Sequence, residues 1–147
     1  MAKNIKATYC MLSVATLSIG FLCYYYFRDS DLIFHQMFDI QFTHKKLLLS
    51  DNFFTNFLQY NICDGLWLLS GILFLRFIWF DNSGTGKRYI IIFISIALLL
   101  ELLQIMKQFP GTFDIMDIFT MAFFALSEHC INNFFTDQRS RKWVKNG

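Results

Sequence analysis

The stretch Glu101-Leu102-Leu103-Gln104-Ile105-Met106-Lys107-Gln108-Phe109-Pro110-Gly111-Thr112-Phe113-Asp114-Ile115-Met116-Asp117 joins two strongly apolar runs. It carries three carboxylates, the amide of Gln104 and the chain's only proline. Pro110-Gly111 interrupts a helical pattern, so the segment reads as a hairpin between two helices. Apolar runs of membrane length rarely keep ionisable groups unless those groups face protein, water or a ligand. The turn is therefore where a functional site is expected.

Upstream of the turn, Tyr89 to Met106 reads as a third span, and downstream Phe113 to Phe135 reads as a fourth. The first span is Ala7 to Phe27, uncharged throughout and about 21 residues long, enough to cross a ~30 Å hydrocarbon layer. A cleaved leader is the rival reading, but the run ends in Phe21-Leu22-Cys23-Tyr24-Tyr25-Tyr26-Phe27 with no small-x-small site after it. Tyr60 to Phe80 is the second span. The fold class expected is all-α: a polytopic membrane protein of four transmembrane helices in one domain, residues 1–147. A partly structured outer loop joins the first two helices. Within that loop Ser50-Asp51-Asn52 offers an N-cap for a short interfacial helix over Phe53 to Leu58, with an irregular loop folded over the bundle as the alternative. Asp81 to Arg88 reads as a tight turn. Its Gly84-Thr85-Gly86-Lys87 lacks the spacing of a phosphate loop. Thr136 to Gly147 reads as a basic tail.

Composition agrees with this class. The chain is 55% hydrophobic, 19% aromatic and only 16% charged, with a mean hydropathy of +0.40, too apolar to cover one soluble core with polar surface. No long basic run is interleaved with aromatics, so nucleic acid is not an expected partner. Cys10, Cys23, Cys63 and Cys130 form no CxxC pair and read as small hydrophobes, with a Cys23–Cys63 disulfide as a minor alternative.

Orientation follows from the Lys and Arg on each side. Lys3, Lys6, Lys87, Arg88, Arg139, Arg141, Lys142 and Lys145 fall on the side of the termini and the 81–88 turn, against Arg28, Lys45, Lys46 and Lys107 on the other. Both termini are then cytoplasmic.

With that topology Asp64, Glu101, Gln104, Lys107, Asp114 and Asp117 all come to the outer side. Glu101 and Gln104 share one helix face, as do Asp114 and Asp117. A Thr112 N-cap and the helix dipole account for Asp64, Thr112 and Asp114 without any function. They do not account for Glu101, near the C-terminal end of its helix, or for Asp117, a turn deeper. The candidate ligand-binding set is Asp64, Glu101, Gln104, Thr112, Asp114 and Asp117, with Glu101 and Asp117 the candidates for catalysis. Such carboxylates can share a proton, hold a hard cation, or be neutralised by Lys107, Arg28 or a loop lysine. No His lies beside them and carboxylate spacing alone is unspecific, so neither metal nor cofactor is expected. His35 and His44 read as solvated or stacked loop residues, and Glu128 as the partner of Arg76.

Glu101-x-x-Gln104 followed by Pro110-Gly111-Thr112-Phe113-Asp114-x-x-Asp117 resembles the signature of VanZ-like membrane proteins. Asn61-Ile62-Cys63-Asp64-Gly65-Leu66-Trp67 is similar to that family's second-span opening. The similarity runs from about Asn61 to Phe135, and the chain looks like a divergent member: Thr112 stands where many members carry Arg, Met121 where they carry Asn, and Cys63 where Pro is common. The resemblance implies a small multi-pass protein of the bacterial cytoplasmic membrane and cell envelope, in a family named for low-level resistance to the glycopeptide teicoplanin. Its expected partners are the lipid bilayer and a lipid headgroup, glycopeptide or cell-wall precursor held in the outward carboxylate-rich pocket. A carboxylate-dependent hydrolase or transferase, and a structural or assembly subunit, are the alternatives. The sequence is silent on oligomeric state.

Overall fold

A computed structural model of the chain describes residues 2–27, 53–106 and 113–146. Among them there are four helices and no strand: α1 Ala2–Phe27, α2 Phe53–Ile78, α3 Ser83–Leu103 and α4 Ile115–Asn146. Two of these, over Lys3–Tyr26 and Asn61–Ile78, are long and apolar enough to cross a membrane. Arg28, His35, His44, Lys45 and Lys46, and the cap at Ser50 to Asn52, lie outside the described residues.

The helices start and stop differently from the sequence reading, for local reasons. Phe53 to Leu58 is helical but is no separate element; it runs straight into α2, because no breaker stands between it and the second apolar run. The 81–88 segment is mostly helix. Asn82 accepts a hydrogen bond from the Thr85 N–H at 3.2 Å, so α3 starts at Ser83 and the turn contracts to a few residues. α3 leaves its regular path at Leu103, where Gln104, Ile105 and Met106 N–H groups reach back three residues to the Glu101, Leu102 and Leu103 carbonyls. That tightened turn satisfies the last carbonyls before the hairpin. α4 continues without a break past Phe135 to Asn146, so the expected tail is the end of a 32-residue helix.

α2 lies between its neighbours. Leu69 and Leu73 pack with Ile5 and Tyr9 of α1, while Leu68 and Ile72 pack with Ile90 of α3 and Met121 of α4. The two sets are offset by one residue, which turns them to different faces of the helix. Glycines make the close approaches. A Cβ on Gly65 would lie 2.1 Å from the Phe124 ring of α4 and 2.7 Å from the Thr120 methyl, and one on Gly71 would lie 2.4 Å from the Phe93 ring of α3. Between α1 and α2 the tie is polar: Ser13 Oγ donates to the Ser70 carbonyl and Ser70 Oγ to the Ser13 carbonyl, each at 3.0 Å, both side chains buried. Cys23 and Cys63 are not bridged; the cysteines remain thiols.

The distribution of polarity is the reverse of the one water imposes. Ser13, Asn61, Ser70, Glu101, Asp117, Thr120 and Glu128 are buried, while Met11, Ile91, Phe119, Phe123 and Leu126 are more than 60% exposed. Thr8, Thr16, Thr120, Ser127 and Thr136 each turn the hydroxyl back onto the carbonyl four residues earlier in the same helix.

Gly65→Ala tests the α2–α4 seam. Better helix propensity would contribute about 0.5–1 kcal/mol of stability, whereas displacing Phe124 and Thr120 costs about 1–3 kcal/mol. A net loss of stability is expected, read as a lower unfolding midpoint in detergent.

Candidate functional site

The candidate site is built at the start of α4. Asp114 caps that helix: its Oδ1 accepts the Met116 N–H at 2.9 Å, the geometry of an N-cap bonding the second helical residue. Asp114 thus takes the capping role; Thr112, the cap expected from the sequence, lies outside the described residues, as does Lys107. The reason is local, since a carboxylate immediately before Ile115 is the nearest acceptor for the first unpaired N–H groups.

From the other side of the hairpin, Glu101 reaches the same place. Its Oε1 accepts the Asp114 N–H at 3.5 Å and its Oε2 accepts Gln104 Nε2 at 3.0 Å. A carboxylate near the C-terminal end of α3 is poorly placed with respect to its own helix dipole. Docked against the N-terminus of α4, it meets the favourable end of the next one. Asp117, in the first turn of α4, shares that favourable end.

The third element comes from α2. Asn61 Nδ2 donates to Asp117 Oδ1 at 2.7 Å and to Asp114 Oδ2 at 3.3 Å. One buried amide therefore joins two carboxylates of α4, and Asp114 in turn joins them to Glu101. Asp64 lies one turn along α2, partly buried, and its charge acts on Glu101 together with those of Asp117 and Asp114. Glu101, Asp117 and Asn61 are each less than 10% exposed. Among the described residues no cation pairs with Glu101.

Of the candidate set, Asp64, Glu101, Gln104, Asp114 and Asp117 thus fall in one cluster, and Thr112 lies outside the described residues. Sequence reasoning gives Asn61 no role beyond its place in the second-span opening. Its signal was available: an amide in the first turn of an apolar run, one turn before Asp64. The cluster gathers acceptors, and the described donors inside it are two side-chain amides and backbone N–H groups. Chemically it suits a ligand that donates hydrogen bonds or carries positive charge.

At the far end of the same helices, Arg76 Nε donates to Glu128 Oε1 at 2.7 Å, with both side chains largely buried. This is the α2–α4 ion pair expected from the sequence. Next to it, Tyr9 of α1 donates from its hydroxyl to Asn132 Oδ1 at 3.2 Å.

Comparison with known protein families, curated proteins and solved structures finds no match to this chain.

Two measurements follow. Asn61→Ala leaves Asp117 without its amide donor, and loss of a hydrogen bond to a charged group costs about 1.5–3 kcal/mol, read as a drop in unfolding free energy. Glu128→Leu leaves Arg76 buried and unpaired, which costs about 3–5 kcal/mol, whereas Arg76→Met/Glu128→Leu together should recover most of the loss.

Proposed function

We propose that the chain is a VanZ-like protein of the bacterial cytoplasmic membrane. In this reading four helices span the bilayer, both termini are cytoplasmic, and the Asn61–Glu101–Asp114–Asp117 cluster opens to the outer face. The inverted polarity supports the membrane part. Large apolar side chains facing outward on α1, α3 and α4 suit a hydrocarbon surround, and hydroxyls bonded within their own helices need no water. The ends also sort as the charge count requires. Lys6 of α1 meets Asp81 of the α2–α3 turn at 3.3 Å, and Tyr9 meets the C-terminal half of α4, so these three regions share one end.

Function is carried by one observation: acidic and amide side chains from three helices converge where a purely apolar contact would be cheaper. Ionisable groups kept in such a place mark a site by default. The ligand class follows from the acceptors, an amine- or hydroxyl-bearing part of a lipid headgroup, glycopeptide or cell-wall precursor. Met121 is buried in an apolar cluster with Leu68, Ile72 and Ile90, so the amide that many family members carry there is absent, and in this chain the amide at the site comes from Asn61.

Glu101→Gln tests the reading, because the amide oxygen can still accept the Asp114 N–H while the charge is gone. Cells carrying the variant should keep wild-type protein levels in the membrane. Protection against teicoplanin should fall, as expected for about a tenfold weaker ligand contact. Unchanged protection at equal levels would remove the cluster from the function, and loss of the protein from the membrane would favour the assembly-subunit reading.

A further inference from the structure

At the end of the bundle opposite the carboxylates lies a cavity of about 310 Å³. It is walled by all four helices and the α2–α3 turn, with Arg76, Ser83, Lys87 and Asn132 supplying polar atoms and Trp79 and Phe135 part of the apolar wall. The rise of ~1.5 Å per residue puts Arg76 about 22 Å along α2 from Asn61, so this is a separate place. Its size is at the lower limit for small-molecule sites.

The lining offers hydrogen-bond donors and positive charge. Among the described residues no carboxylate faces the cavity. Glu128 accepts from Nε of Arg76, and among the described residues the terminal guanidinium nitrogens have no acceptor, although the side chain is just 12% exposed. Asn132 accepts the Tyr9 hydroxyl through its oxygen, which leaves the amide N–H groups as donors. Lys87 has no carboxylate partner among the described residues. Ser83 opens α3, where Asn82 caps Thr85 and the first N–H groups add partial positive charge. Arg76 and Glu128 cancel, so the excess is the single charge of Lys87 plus the helix end.

We propose that this cavity binds the phosphodiester of an anionic phospholipid. A phosphodiester carries one negative charge and oxygen acceptors for the Arg76, Lys87 and Asn132 donors. The adjoining glycerol and first methylenes of such a lipid would lie against Trp79 and Phe135, which a free phosphate would leave uncovered. The proposal concerns a second site and is independent of any ligand at Glu101 and Asp117.

The test is native mass spectrometry of the full chain released from nanodiscs of phosphatidylcholine with increasing phosphatidylglycerol. One phosphatidylglycerol should be retained per chain in preference to phosphatidylcholine. Lys87→Glu, an exposed position whose change should leave folding intact, should reduce that retention about tenfold or more. Asn132→Asp should also reduce it, with unfolding midpoints showing that both variants are folded. Displacement by millimolar inorganic phosphate would locate the affinity in the phosphate group alone, and retention in its presence would assign part of it to the glycerol and acyl contacts. Equal retention of the two lipids by the wild-type chain, or retention unchanged in both variants, would overturn the proposal.

Discussion

The first turn of α4 is where the bundle is tied together. Its unpaired N–H groups and positive dipole end draw Asp114 and Asp117 from the helix itself and Glu101 from across the hairpin, and Asn61 of α2 closes the group. In an apolar surround this matters more than the packing of leucines. In the membrane setting proposed above, lipid and protein interior are equally greasy, so hydrophobic contact alone does not choose one helix register over another. An amide that must reach two carboxylates on another helix does choose, because a slide of one residue breaks both bonds.

The same logic runs down the length of α2. Asn61 bonds α4 at one end, Ser70 exchanges hydrogen bonds with Ser13 of α1 in the middle, and Arg76 pairs with Glu128 of α4 at the other end. Between these ties Gly65 and Gly71 let Phe124 and Phe93 press against the α2 backbone. Small residues permit close approach, and polar residues specify where it happens. The central helix therefore combines a high overall hydropathy with polar ties to two of its neighbours.

The two ends of the bundle differ in charge. Carboxylates and amides gather near the hairpin, and a guanidinium, a lysine and a helix N-terminus gather around the opposite cavity. In the membrane orientation proposed above, the acceptor-rich end meets the envelope and the donor-rich end meets the anionic cytoplasmic leaflet. In that orientation each end is chemically suited to its surroundings.

Much of this was legible in the chain itself. Apolar runs separated by Gly, Pro and charged clusters can hardly fold other than as helices, and Glu101 and Asp117 stand out because ionisable groups inside such runs violate the cheapest arrangement. The pairing of Arg76 with Glu128 follows from the same argument, as each is a charge that needs a nearby opposite. The helix limits depart from the sequence pattern at Ser83, where a side-chain cap outweighs two glycines, and past Phe135, where a polar composition hides a continuing helix. The roles of Asn61 and Asp114, and the cavity beside Arg76, are properties of the assembled bundle. A neutral amide disturbs no charge pattern, an aspartate before a helix has several possible partners, and a cavity is the space that four distant segments fail to fill. Those outcomes depend on which helices become neighbours, a relation between residues some fifty or more positions apart that no local spacing contains.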